Sequence, residues 1–599
     1  MMNYLQRMAS YLRGRAEGTA VIPQIEPLDE WQVRNSAGGY SYPVDDWKRL
    51  ERFLILGSEE GSYYASERIL TKENVDAVKQ CIEADGIRVV KTDIEISGAG
   101  RAPKNGPALF VLALCAAAEN VETRQYALGQ LAKVARTGTH LFEFLGYVQE
   151  MRGWGRALRT AVADWYVAKP AEQLALQLVK YRQRQGWTHR DALRLSHAKS
   201  VALNPALRFA VKGEVPPEGW DMVRAFDRAQ KAGNGTQELA RLIVDRNLTW
   251  EMLPTEVLTQ PEIWEALLPK MPMTAMIRNL ANMTRVELLA PMSDASVVVC
   301  HRLRDETKLK KVRVHPIQVL LALATYASGR GFRGKGTWTP VQQVVNALNE
   351  AFYLAFASVE PTGKRWYIGL DVSGSMTCGS VAGTPLTPRE AAAAMSLVIA
   401  RTEPRYVVRA FQDRMTKLPI SPAQRLDDVV RMTSGLLFGG TDCALPMLDA
   451  LEAKIPVDVF CILTDSETWA GKIHPREALK RYRERTGIPA KLIVAGMVSN
   501  GFSMADPNDG GMLDVVDSTP QFRRSWLTLQ GRGSRKFTRV LPRSLVDTPT
   551  FFPIVGSARK FIRGATLPRW QVEEPILLVI ETNSALPVIR EMDFDNHSS

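Results

Sequence analysis

The stretch Trp366–Met376 reads WYIGLDVSGSM. An apolar run stops at Asp371, and Ser373 and Ser375 follow at steps of two residues. Short oxygen-bearing side chains at this spacing, where a strand meets a turn, offer hard donors to one point. Two later segments add to them. FGGTDCALPM presents Thr441 behind a Gly-Gly turn, and ILTDSETW ends an apolar run in Asp465. Asp371, Ser373, Ser375, Thr441 and Asp465 supply oxygen only, a set that suits Mg²⁺, or Mn²⁺ in the same geometry. Five protein groups around an octahedral ion leave a position for water or an outside carboxylate. Three hydroxyls among them keep the site nearly neutral, so a bound cation stays attractive to an anion. A lone Asp-x-Ser-x-Ser is more often a turn capped by its own side chains. The later Thr and Asp separate the two readings.

The elements around these residues must bring them together. From Pro361 the text alternates: RWYIGLD, RYVVRAF, VDVFCILTD and AKLIVAGM read as strands, PREAAAAMSLVIART and HPREALKRYRERTG as helices. That alternation predicts a parallel sheet with helices on both faces, and ligands of such sheets bind at the carboxyl ends of the strands. Asp371 and Asp465 both fall at strand ends. The residue types and their order resemble the metal-ion-dependent adhesion site of von Willebrand factor A domains, an α/β, Rossmann-like fold.

From Leu70 to the 350s the texture differs. PALFVLALCAAAENVETRQYALGQLAKVA predicts two helices with a break at Glu119–Thr123. Further short amphipathic stretches follow, each bounded by Pro, Gly or Asn. Serial short helices predict an α-solenoid with degenerate repeats, nearer HEAT than ankyrin.

A cationic stretch interrupts them: KYRQRQGWTHRDALRLSHAK. Lys180, Arg182, Arg184, His189, Arg190, Arg194, His197 and Lys199 crowd it, with Tyr181 and Trp187 among them. Cations bind phosphates, and aromatic or guanidinium planes stack on unpaired bases. The two histidines suit neutral donors to phosphate or ribose. The competing reading is a solvated helix face with Trp187 in the core. Further on, Gly329–Gly336 reads GRGFRGKG and imitates a phosphate loop. An apolar helix precedes it where a strand is required, and Gly336 stands where Ser or Thr belongs. Gly329 is read instead as a helix C-cap, and Arg330, Arg333 and Lys335 as a cationic loop fit for phosphate contact.

The net charge of +12 over 599 residues favours an anionic partner, nucleic acid first. Six scattered cysteines fit a reduced, cytoplasmic setting. The N-terminus lacks a secretory h-region, and the longest apolar run, ALFVLALCAAA, is too short for a bilayer. No second carboxylate cluster or general base accompanies Asp371 and Asp465, so the chain is read as a non-enzyme.

WGRALRTAVADWY, KYRQRQGWTHRDALRLSHAK, HPIQVLLALATYASGRGFRGK, EPTGKRWYIGLDVSGSM, GGTDCALPM, ILTDSETWAG and AKLIVAGMVSNGFSMADP follow one another as in the Ro ribonucleoproteins, the TROVE-domain family. The resemblance runs from about Pro27 to Asp517. It implies a HEAT-like helical ring over residues 27–360, closed by a von Willebrand A domain over 361–517. An N-terminal tail would cover 1–26 and a basic extension 518–599. It further implies small noncoding Y RNA on the outer ring surface and single-stranded 3′ ends of misfolded RNA in the central hole. RNA quality control, with a 3′ exoribonuclease as partner in bacterial members, is the implied setting. Lys180, Arg184, His189, Arg190 and His197 match the family's Y RNA contacts, and Arg330, Arg333 and Lys335 would add charge. A protein partner would offer a carboxylate to the metal, and that metal-dependent docking is the alternative primary function. After Asp517 the A domain's last helix is not evident, and Pro520 with Arg-rich text replaces it.

Overall fold

The computed structural model describes residues 21–515, apart from 59–61, 63–64, 234, 313–315, 332–335, 356–360, 382–385 and 437–438. Between Asp46 and Leu354 the described chain is nearly all helix. Asp45, Ser66, Asn120, Thr137 and Ser293 each accept a hydrogen bond from a backbone N–H of the turn that follows. They thereby satisfy donors that the helix leaves open. Neighbouring helices then bury their apolar faces on one another. Leu109, Leu112 and Cys115 of Gly106–Ala117 meet Gly138–Met151, which contributes Leu141, Phe142 and Leu145. Each large apolar side chain buried this way contributes roughly 1.5–3 kcal/mol. The array also comes back to its start. Gln318, in the helix Pro316–Ala327, donates from Nε2 to the Pro103 carbonyl over 2.7 Å. An open stack would keep these segments apart, so this hydrogen bond closes the helices on themselves.

Two short strands, β1 (Val33–Arg34) and β2 (Tyr40–Pro43), precede the helices. A two-stranded hairpin, β3 (Gln183–Arg184) and β4 (Trp187–Thr188), lies among them. The α/β module follows. Strands β5 (Arg365–Asp371), β6 (Arg405–Phe411), β7 (Met415–Lys417), β8 (Val459–Thr464), β9 (Lys491–Gly496) and β11 (Met512–Val515) form one sheet in the order β11-β9-β8-β5-β6-β7. All neighbours run parallel except β7. Alternation sorts the side chains, because successive residues of a strand face opposite ways. Trp366, Ile368 and Leu370 pack in the same apolar cluster as the helix Pro388–Thr402, whereas Tyr367 joins the cluster of Leu445–Glu452 and Pro475–Thr486. The first cluster continues without a break into the helical core. Arg425 and Leu426 fasten the same face further, donating to Asn346 and Asn349 at 2.6 and 3.1 Å.

Residues 21–43 pack on the α/β module. β2 pairs antiparallel with β10 (Phe502–Ser503), matching Tyr42 to Ser503. Gln24 is wholly buried and donates from Nε2 to Asp442 Oδ1 at 2.7 Å and to the Ile473 carbonyl at 2.8 Å. Two strands of two and four residues carry too little alternation to be read from sequence. The expected C-terminal edge at Asp517 and the extension 518–599 lie outside the described residues.

Candidate metal centre and nucleic-acid interface

Two members of the oxygen set, Asp371 and Asp465, lie where adjacent parallel strands end. β5 and β8 are adjacent, with Leu370 opposite Leu463, so Asp371 and Asp465 emerge side by side. Asp371 Oδ1 accepts from the Ser373 N–H at 2.9 Å, and its Oδ2 accepts from the Thr464 hydroxyl at 2.6 Å. The Ser373 and Ser375 hydroxyls lie 3.0 Å apart. Thr441 arrives on the Gly439-Gly440 turn. Its carbonyl accepts from the N–H groups of Trp469 and Ala470 at 2.9 and 3.0 Å. A Cβ on Gly440 would sit 2.9 Å from both the Trp469 ring and the Ala470 Cβ, so glycine lets the two loops touch. All five oxygen-bearing side chains are buried.

Burial pushes the Asp465 carboxyl up to about 8, and the Asp371 and Glu467 carboxylates beside it push the same way. Asp371 is raised by burial too, against hydrogen bonds from Ser373 and Thr464 and the positive Arg389. Two buried carboxylates forced together disfavour ionisation, which Arg389 offsets only in part; a divalent cation between them would reverse that. Among the described residues no group of three or more His, Cys, Asp or Glu is placed to hold a metal. The candidate set is two carboxylates and three hydroxyls, whose chemistry would fit Mg²⁺ or Mn²⁺ and would suit zinc poorly. Buried Arg389 braces the loop by donating to the Val372 and Ser373 carbonyls. Arg389 and Thr464 are participants that the motif reading misses. Thr464 stands one residue before Asp465, and its hydroxyl at a strand end was the available signal.

The cationic stretch folds as hairpin then helix. Gln185 and Gly186, both at positive φ (49° and 78°), make the two-residue turn between β3 and β4. This turn suits the right-handed twist of the paired strands. Thr188 and Asp191 form a capping box that starts the helix His189–Ser196. His197 ends it in the left-handed region. Arg182, Arg184, Arg190, Arg194, His197 and Lys199 are all exposed. Arg190 and Arg194 stand one helical turn apart on one face. Of these six, Arg184 alone has an ion pair among the described residues, at 3.2 Å to Glu143.

Three expected RNA contacts need correction or qualification. His189 is a core residue: it is 3 % exposed, Nδ1 meets the Tyr166 hydroxyl at 2.8 Å and Nε2 the Gln177 carbonyl at 3.0 Å. Burial pushes its imidazole down to about 4, and neither nitrogen is available to RNA. Lys180 is mostly buried, with Nζ 3.6 Å from Glu251. It lines a cavity of about 120 Å³ together with Trp250, Leu267 and Met271. Trp187 is half-buried against Trp154, with ring centres 5.8 Å apart, so it serves the core rather than a free base. Arg330 is exposed and makes an antiparallel backbone bridge with Thr337. Gly329 has φ 69°, in keeping with a helix C-cap, and no strand precedes it as a phosphate loop requires. Arg333 and Lys335 lie outside the described residues.

A closed helical array joined to a parallel sheet whose strand ends carry Asp-x-Ser-x-Ser, Thr and Asp defines a helical-repeat protein with a von Willebrand A module. The family comparisons agree: the TROVE domain matches residues 33–231 and 217–325, and the Ro60 vWA domain matches 365–521. The RNA-binding protein RO60 of Deinococcus radiodurans is 44% identical over 501 residues, covering 82% of this chain and 94% of that protein. The RNA-binding protein RO60 of Caenorhabditis elegans is 37% identical over 591 residues, covering 84% and 91%. The crystal structure of the Deinococcus radiodurans RO (RSR) protein superposes with a TM-score of 0.63 at 42% identity, over 80% of this chain and all of that one. The chain belongs to the Ro family of TROVE-domain proteins.

Proposed function

We propose that this chain is a non-catalytic RNA-binding protein. It holds a small, structured Y-type RNA on the outer basic surface of its helical array and takes single-stranded 3′ ends of misfolded RNA, within RNA quality control. One observation carries the reading. The hairpin and helix of residues 182–199 present five exposed cations and the exposed His197, and only Arg184 is ion-paired among the described residues. Phosphates are the natural occupants of such a surface, and they set affinity without fixing sequence. Half-buried Tyr181 and Trp187 leave guanidinium planes as the main stacking surface for unpaired bases. The names of the two relatives and the match to the TROVE domain support RNA as the partner. No described helix is long and apolar enough to cross a membrane, and the reading places the protein in the cytoplasm.

The α/β module adds a second binding surface. A bound Mg²⁺ would be held by Asp371, Ser373, Ser375, Thr441 and Asp465, and would supply a coordination position for a partner's carboxylate. A 3′ exoribonuclease is the partner this function calls for. The exposed Trp469 ring beside the Thr441 loop offers such a partner an apolar foothold. RNA recovered with the protein from its own cells, identified by sequencing, tests the main reading. A short stem-forming RNA is expected, and recovery of none overturns it.

A further inference from the structure

The metal centre depends on a residue of the other domain. The turn after β8 is strained: Ser466, between Asp465 and Glu467, has φ 66°, a conformation costly for a residue with a side chain. Such a turn persists only where its surroundings over-determine it. Asn500 does much of this. Its Nδ2 donates to the Asp465 carbonyl at 2.8 Å and to Glu467 Oε1 at 3.0 Å, using both amide hydrogens. Glu467 Oε2 is held in turn by the N–H groups of Ser36 and Ala37 at 2.8 and 3.3 Å.

An asparagine amide can face either way, and its hydrogen bonds decide which. Here the acceptor-only Asp465 carbonyl and Glu467 carboxylate set it from one side, and Arg52, in the helix Asp46–Leu56 of the helical array, from the other, where its Nη1 also donates to the Phe502 carbonyl at 2.8 Å. Arg52 is wholly buried. Its Nη1 donates to the Asn500 carbonyl at 2.8 Å and to Asn500 Oδ1 at 3.1 Å, and Nη2 pairs with Asp514 at 2.6 Å. Because a guanidinium only donates, Oδ1 must face Arg52 and the amide hydrogens must face Asp465 and Glu467.

We infer that Arg52 and Asn500 are positioning residues of the metal centre: Arg52 helps to orient the Asn500 amide, which holds the strained Asp465–Glu467 turn and with it the Asp465 carboxylate that would face the ion. This rests on the reading of the oxygen set as a divalent-metal site. The helical array is then part of the metal site's outer support, although it supplies no ligand.

The test uses the full chain and Mn²⁺ binding followed by electron paramagnetic resonance, with Mg²⁺ as competitor. Outer hydrogen-bond partners of metal ligands typically change affinity by about 10–100-fold. Asn500→Asp, Asn500→Ala and Arg52→Lys should each weaken Mn²⁺ binding by about that factor while leaving RNA affinity unchanged. Arg365→Gln is the control, since it breaks the Arg365–Asp458 pair at the opposite end of β5. It should lower thermal stability without moving Mn²⁺ affinity. Folded Asn500 variants that bind Mn²⁺ within about twofold of the parent, against the expected tenfold or more, overturn the inference even if Arg52→Lys fails to fold. A parent chain that takes up neither ion overturns the metal reading itself, and the positioning role falls with it.

Discussion

The Thr464 hydroxyl donates a 2.6 Å hydrogen bond to Asp371 Oδ2, joining the ends of two neighbouring parallel strands beneath the metal centre. Both residues are fully buried, so the bond is shielded from competing water. It leaves Asp371 one oxygen held by Thr464 and one by the Ser373 N–H, with lone pairs remaining for an ion. Thr464→Val removes the hydroxyl at nearly constant volume. Isothermal titration should show Mg²⁺ affinity reduced by about tenfold or more, with a lowered thermal midpoint, because the Asp371 oxygen and the Ser466 N–H both lose a buried partner.

Asp371→Ala removes a ligand and a charge together. Metal uptake and any metal-dependent docking of a protein partner should vanish, while RNA affinity stays at the parent level. Gel-shift titration beside metal titration checks this. Equal loss of both would mean the two surfaces are not separate.

Arg190 and Arg194 lie one turn apart on the exposed face of the helix that follows the hairpin. Replacing both by Ala should weaken binding across RNA sequences alike. The slope of log affinity against log salt should become shallower by roughly 0.7–0.9 for each phosphate no longer neutralised. A change confined to one RNA sequence would assign these residues to base reading instead.

His189 makes stability depend on pH. Its imidazole ionises near 4 in the fold, against 6.5 for the free side chain, because burial disfavours the cation. The unfolded chain therefore binds more protons between these values, and stability present above pH 6.5 is lost as pH falls towards 4. The loss reaches about 2 kcal/mol by pH 5. His140, also lowered to about 4 by burial, adds a similar loss. Urea unfolding at pH 7 and pH 5 should show the drop, and His189→Gln should show a smaller one.

The oxygen set could be put forward as a candidate from sequence because its chemistry is written in residue type: an oxygen donor is an oxygen donor wherever the strand puts it. Asp371 and Asp465 also closed apolar runs, and sheet ends are where such folds gather ligands. His189 shows the opposite case. In a cationic stretch its letter is the same whether the ring points in or out. The helical spacing held the answer, for His189, Ala192, Leu193 and Ser196 share the buried face of their helix. Asn500 and Arg52 gave no such sign. Their roles arise from hydrogen bonds across more than four hundred residues of chain, and no local pattern encodes those.

The pairing of β2 with β10 and the seating of Gln24 against Ile473 also set a timetable for biogenesis. With 449 residues between Gln24 and Ile473, a ribosome working at roughly 5–20 residues per second needs about 20–90 s to deliver the second after the first. During that interval the leading segment has no sheet edge to join, and the helices can assemble ahead of it. Residues 21–43 thus precede the helical array in the chain yet are among the last to find their place.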